Sequence, residues 1–250
     1  MNWFSAVKPA PTPEATAPVL LDFAGHRFEA LPSGALYWRA ANALLVADLH
    51  FEKASFYGTH GQFLPPYDSL DTLACLIDAI EETGARRLFC LGDSFHDGDG
   101  PARLPHGARA ALVALTHSLD WVWITGNHDD RAAGALGGRV MAAARIGPLV
   151  LRHEADANDP TPEVSGHFHP RLRVRLRGRA VVRRCFAVSP GKLLLPAYGV
   201  LTGGLDVGDP AISAALGSPV TAYVALADRL LRFPVAPPRS VLAKFAEHQS

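Results

Sequence analysis

The sequence predicts an α/β protein in which helices cover a pair of packed sheets. Three observations predict it. Apolar runs of strand length alternate with helix-period segments in the middle of the chain, an order that implies parallel strands joined by crossover helices. After Ile146 the pattern changes to short strands separated by turns, which implies a mixed or antiparallel sheet. Hydrophobic residues make up 48% of the 250 and charged residues 19%, enough apolar material for a sizeable core.

Residues 1–18 are rich in Pro and Ala and read as a tail, 19–234 as one domain, and 235–250 as a second tail. From Val19 to Ala47 the strands LLDF, HRFEAL, ALYWRA and ALLVADLH are separated by turn signals. A helix capped by Asp68 or Ser69 runs to about Thr83, with Leu70, Leu73, Ala74, Ile77 and Ile80 on one face and Gly84 as its stop. Strand RLFCLG follows, then a polar glycine-rich loop and a helix from about Pro105 to Leu119. Strand WVWITG comes next, then a small Ala/Gly-rich helix near residues 131–144. PLVLRH, EVSGH, LRVRLRG, AVVRRCFAV and TAYVALA read as the later strands.

Formal net charge is +0, so no overall basic field draws in nucleic acid, and only a local patch could do so. Cys75, Cys90 and Cys185 show no metal-finger or C-x-x-C spacing and read as reduced thiols in or near the core. No charged leader precedes an apolar segment, and no apolar run reaches the ~18 residues of a membrane helix. The expected compartment is the cytoplasm, with no membrane partner.

Five apolar or small-residue runs end in similar chemistry. LLVADLH ends in Asp48 and His50, and LFCLGDSFH in Asp93 with His96 nearby. VWITGNHDD gives Asn127 and His128, VLRH gives His153, and VSGHFHP gives His167 and His169. Ligands of α/β sheets bind outside the carboxyl ends of the strands, where loops converge. Residues two apart on a strand point to the same side, so D-x-H and H-x-H aim both members of a pair at one site. Imidazole with carboxylate suits Mn, Fe, Zn or Ni. One polar strand end is an ordinary cap or turn, but five in this order form a set. His26, His60, His106, His117 and His248 belong to no such ending and read as ordinary histidines.

The order D-x-H, G-D, G-N-H-D, H, G-H-x-H, from about Leu44 to Pro170, resembles the calcineurin-like metallophosphoesterase superfamily. The resemblance implies a four-layer α/β/β/α sandwich of two mixed sheets flanked by helices. It also implies a dinuclear centre, with manganese the first expectation and Fe, Zn or Ni the others. Asp48, His50, Asp93 and His169 would hold one metal. Asp93, Asn127, His153 and His167 would hold the second, with Asp93 bridging. His128 would stand off the metals as the general acid, and Asp129 would orient its ring. Such a site suits phosphate-ester hydrolysis, because paired metals activate a water and clamp the phosphoryl oxygens while an imidazole protonates the leaving alkoxide. Many members carry a second acid after the G-D pair. Here the run is GDSFHDGDG, with His96 and Asp97 in that region. His96 is either a substrate-phosphate or supporting residue or a plain loop residue.

Three further stretches, VADLHFEKASFYGTHGQFLPPYDSLDTL, GDSFHD and LPAYGVLTGGLDV, join the extra strands before Asp48 in a narrower resemblance. Together they resemble the bacterial ligase-associated DNA damage response endonucleases, over about Leu20 to Phe233. That likeness implies DNA as substrate and a DNA ligase, a helicase and a nuclease as repair partners.

In HPRLRVRLRGR, Arg171, Arg173, Arg175 and Arg177 alternate with Leu172, Val174 and Leu176. A strand places the arginines on one face, either as a solvated surface or as a phosphate track starting at His167 and His169. Gly203 and Gly204 allow a close loop approach, as a lid or as an ordinary turn. Three functions follow: a metal-dependent phosphodiesterase acting on DNA, a phosphoesterase for a small nucleotide or nucleotide-sugar substrate, and a non-catalytic binding module. The intact ligand set with His128 speaks against the third.

Overall fold

The computed structural model describes residues 18–128 and 132–236. The tail residues before 18 and after 236, and Asp129, lie outside the described residues. The first sheet is built from β1 (Leu20–Phe23), β2 (His26–Ala30), β3 (Leu36–Trp38), β4 (Ala43–Val46), β5 (Arg87–Leu91), β6 (Asp120–Ile124) and β7 (Arg139–Met141). These seven lie side by side in chain order. The first four pair antiparallel, and β4 to β7 pair parallel. The parallel strands need crossovers. α1 (Lys53–Thr59) and α2 (Asp68–Thr83) lie between β4 and β5, and α3 (Gly100–Arg103) and α4 (His106–Ser118) between β5 and β6.

The rest of the chain supplies β8 (Ala143–Ile146), β9 (Leu149–Arg152), β10 (Glu163–Ser165), the hairpin β11 (Arg171–Leu176) and β12 (Arg179–Arg184), β13 (Phe186–Val188) and β14 (Lys192–Leu194), then α5 (Pro210–Leu216), β15 (Val220–Ala225) and β16 (Leu230–Val235). Seven of these strands form the second sheet, in the order β16-β15-β13-β14-β10-β9-β8, and the hairpin stands apart as a two-stranded sheet. β9, β10 and β14 run parallel at its centre.

The pleat sorts the core into layers. Leu44, Val46, Leu88 and Cys90 pack with Leu76 of α2 and Leu112 of α4. The alternate residues Leu45, Phe89, Leu91 and Val122 face the second sheet and meet Leu149, Leu151, Val164 and Leu193. Beyond that sheet, Ala187, Leu194 and Val220 pack against Ile212 and Leu216 of α5 and Leu172 of the hairpin. The result is the four-layer sandwich. Strands buried on both faces read as continuous apolar runs, and for that reason they are visible in the sequence. Among the described residues no helix is long and apolar enough to cross a membrane.

Several local expectations need correction. No α-helix spans the described residues 132–144 of the segment expected to be helical: a 3-10 turn at Ala132–Leu136 gives way to β7 and β8. Gly137 and Gly138 sit at φ 90° and 78°, which ends the helical path, and edge pairing to β6 and β9 claims the rest. The buried side of α2 is Ser69, Thr72, Leu73, Leu76 and Ala79, while Leu70 is 43% exposed. Asp68 and Ser69 do not cap their own helix. Asp68 accepts from the Ala54 N–H at 3.0 Å and Ser69 from the Glu52 N–H at 2.8 Å, so the start of α2 satisfies the orphan donors of α1. Cys75 is exposed, whereas Cys90 and Cys185 are buried. β16 continues to Val235, one residue into the expected tail.

Candidate metal centre

The carboxyl ends of β4, β5, β6, β9 and β10 open onto one place, and the loops that follow are zipped together. The Asp48 N–H donates to Gly92 O at 3.2 Å, His50 N–H to Asp93 O at 2.9 Å and Gly166 N–H to His153 O at 2.8 Å. Asp48 and His50 lie beyond the end of β4, and the pleat does not align them. Their φ values are 54° and 46°, and Asp93, His167 and His169 are also left-handed at 46°, 70° and 48°. Such backbones are costly for residues with a Cβ and gather where a site demands them. Alternate left-handed residues turn both members of D-x-H and of H-x-H inward.

Each buried carboxylate has one oxygen anchored and one facing imidazoles. Asp93 Oδ1 accepts the N–H groups of Asn127 at 2.8 Å and His128 at 3.1 Å. Its Oδ2 lies 3.6 Å from His153 Nε2, 3.9 Å from His128 Nε2 and 4.0 Å from His50 Nε2. Asp48 Oδ2 accepts the His167 N–H at 3.0 Å, and its Oδ1 lies 3.2 Å from His169 Nε2. The approach is close: a Cβ at Gly126 would stand 2.2 Å from Asp93 Oδ1, so the G-N-H spacing needs glycine there.

The rings complete two groups. Asp48, His50 and His169 offer ligand atoms within 4.8 Å of one another, and so do Asp48, Asp93 and His153. His153 Nδ1 is 3.0 Å from Leu91 O; donating there leaves Nε2 as the lone pair facing Asp93 and His167, whose Nδ1 is 3.1 Å away. The Asn127 amide lies 3.4 Å from His167 Nδ1. Burial first, then the neighbours His169, Lys53, His96 and His128, push the His50 pKa down to about 2. The fit to divalent ions rests on this chemistry. Asp48 Oδ1 and His50 Nδ1 are buried without a hydrogen-bond partner. A buried carboxylate oxygen left without a hydrogen bond is expensive unless a cation sits there.

His128 is half-exposed beside this cluster. His96 is packed between its ring and helix α1, where Phe56 lies 4.7 Å and Tyr57 5.5 Å from it, centroid to centroid. Burial, with Lys53 and His128 nearby, lowers the His96 pKa. Asp97 is turned away and forks onto Arg103 at 2.9 Å. Sequence reasoning missed Glu154, whose Oε1 lies 3.8 Å from His167 Nε2; its one signal is its place directly after His153. It also missed Lys53, a half-buried lysine whose pKa burial lowers; it lies three residues after His50.

The arginine strand divides. Arg173 and Arg175 are exposed, with Arg173 Nε 4.0 Å from Asp206. Arg171 is partly buried and its guanidinium donates to Thr202 O. Arg177 leaves the strand for the hairpin turn at φ 48°.

Two mixed sheets between helices, with buried aspartates and histidines at their carboxyl ends, define a metal-dependent hydrolase scaffold. The chain belongs to the calcineurin-like phosphoesterase family, whose profile matches residues 41–176, and it is a metal-dependent phosphoesterase. Among solved structures it is similar to the Pseudomonas putida nuclease MPE, with 32% identity over 87% of this chain and 100% of that one, at a TM-score of 0.66. It also matches YfcE, a phosphoesterase from E. coli, at 14% identity over 78% of this chain and 99% of that one, TM-score 0.40. Vps29 from Entamoeba histolytica matches at 14% identity over 78% and 99%, TM-score 0.33. A search of the curated proteins returns no match.

Proposed function

We propose that the protein is a dinuclear, manganese-dependent phosphodiesterase that cuts DNA internally. Asp48, His50, Asp93 and His169 would hold one ion, and Asp93, Asn127, His153 and His167 the other. The observation that carries this reading is the place of Asp93 Oδ2, within 4.0 Å of ring nitrogens from both sets. When bound, the two ions supply an activated water and neutralise phosphoryl charge. Asp93 Oδ1 holds the backbone of Asn127 and His128, fixing where the His128 side chain starts. The His128 imidazole delivers a proton to the leaving oxygen, with Asp129 orienting it. His96 supports that ring, and Arg173 and Arg175 contact substrate phosphates. A role in cytoplasmic DNA repair, beside a ligase, a helicase and a nuclease, is supported by the motif resemblance and by the likeness to a nuclease.

The test is direct. The purified protein should take up two ions, lose activity with a chelator and recover it best with Mn. It should hydrolyse bis-p-nitrophenyl phosphate faster than p-nitrophenyl phosphate and nick covalently closed circular DNA. Monoester preference with intact circles would replace this reading with a small-substrate phosphoesterase.

A further inference from the structure

A strap of chain, residues 196–205, crosses behind the Asp48–His50–His169 group. The Tyr198 N–H donates to Ala47 O at 2.8 Å and the Gly199 N–H to Asp48 O at 3.2 Å. A Cβ at Gly199 would stand 2.1 Å from Leu49 O, and one at Gly204 2.0 Å from His169 O. The strap therefore touches both loops that carry this group, the D-x-H turn and the H-x-H turn.

Two arginines hold the strap from outside. Arg184 Nη1 donates to Tyr198 O at 3.0 Å and Ser33 O at 3.3 Å, and its Nη2 to Gly199 O at 2.7 Å. Arg171, its cross-strand partner in the hairpin, donates to Thr202 O. Among the described residues neither has a carboxylate within ion-pair distance. Burial and the charge of Arg171 lower the Arg184 pKa, so bringing these two guanidiniums together is unfavourable by itself. The carbonyls offset that cost. A planar fork of donors matches several carbonyls at fixed angles, which a lysine cannot do.

We infer that Arg184, with Arg171 beside it, is a positioning residue that clamps the 196–205 strap against the Asp48–His50–His169 group and sets that group's grip on its ion. This rests on the reading of the group as a metal site. It divides the arginine hairpin: Arg171 and Arg184 serve the site from behind, and the exposed arginines remain for the solvent side.

The experiment uses the full chain, stripped with chelator and titrated with Mn(II) by calorimetry and electron paramagnetic resonance. Wild type should bind two ions. Arg184→Gln should weaken one ion ~10–100-fold, the scale for partners that orient ligands, and leave the other nearly unchanged. Arg184→Lys should restore only part of the loss, and Arg179→Gln, on an exposed hairpin position, should leave both ions as they were. Equal weakening of both ions, or of neither, overturns the clamp. If Arg184→Gln does not fold, Arg171→Gln must show the same selective loss in smaller degree, and two intact sites there overturn it. A wild type that takes up no ions would instead sink the metal reading.

Discussion

The ring of His96 stacks on the ring of His128, with centroids 5.6 Å apart and planes 13° from parallel. Phe56 and Tyr57 back His96 from helix α1. A half-exposed imidazole is thus held against a partly buried one. If His128 is the acid, His128→Ala should keep its ions and lose ~10²–10⁴-fold in rate on a substrate with an alkoxide leaving group. The loss should shrink for p-nitrophenolate, which leaves with little help. His96→Ala should lower the same rate less, with the same leaving-group dependence. Equal losses on both substrates would assign the pair to binding instead.

Burial makes the metal-free centre sensitive to acid. The His50 pKa falls from 6.5 to about 2, chiefly through desolvation. Below its ordinary value the unfolded chain takes a proton that the folded site refuses. Stability is therefore full above 6.5 and is lost progressively as pH falls from there toward the folded value of about 2. The unfolding free energy of the chelator-treated protein should fall below about pH 6.5, by up to ~1.4 kcal/mol per pH unit from this group, and its Tm should fall with it. His50→Gln should flatten the curve, measured by thermal unfolding at several pH values. An unchanged slope in the variant would place the linkage elsewhere.

The parallel strands and the polar endings were legible because each carries a composition signal. Leu44 to Val46 and Leu88 to Leu91 are apolar on both faces, and Asp48, Asp93 and His153 are chemically unlike the strands they follow. Less legible was anything set by contacts between distant segments. The left-handed backbones of Asp48 and His50 arise from zipping to Gly92 and Asp93. The caps of α1 come from Asp68 and Ser69, well downstream in the chain. The alanines of 132–136 favour helix, yet Gly137, Gly138 and edge pairing overrule that preference. Arg171 looks like its neighbours in sequence, and only the strap beneath it separates their roles.

Glycines test the packing claim at the centre. Gly126→Ala would drive a methyl to 2.2 Å from Asp93 Oδ1 and 2.3 Å from Asp93 N. The cost should be about 1–3 kcal/mol, as for overpacking, with weakened metal uptake because Asp93 must move. Gly203→Ala meets nothing within 4 Å and should change Tm little. Denaturant unfolding and metal analysis of the pair decide it, and equal behaviour would remove the steric account of the G-N-H motif.

Arg173 and Arg175 provide the test for a phosphate track, because they are exposed while Arg171 is occupied with Thr202. Replacing both with Gln keeps length and polarity on an exposed face, so folding should survive. Each lost contact with a single-strand phosphate removes ~0.7 from the log–log dependence of DNA affinity on salt. The double variant should therefore flatten that slope by up to ~1.4, weaken DNA cleavage and spare a small diester too short to reach the hairpin. Arg171→Gln should leave the slope alone, since its guanidinium is spent on the strap. Binding is best measured with ions present and cleavage suppressed by His128→Ala. Parallel slopes for wild type and the double variant would make Arg173 and Arg175 a solvated strand face, and the nuclease reading would then stand on the metal centre and the similarity to a nuclease alone.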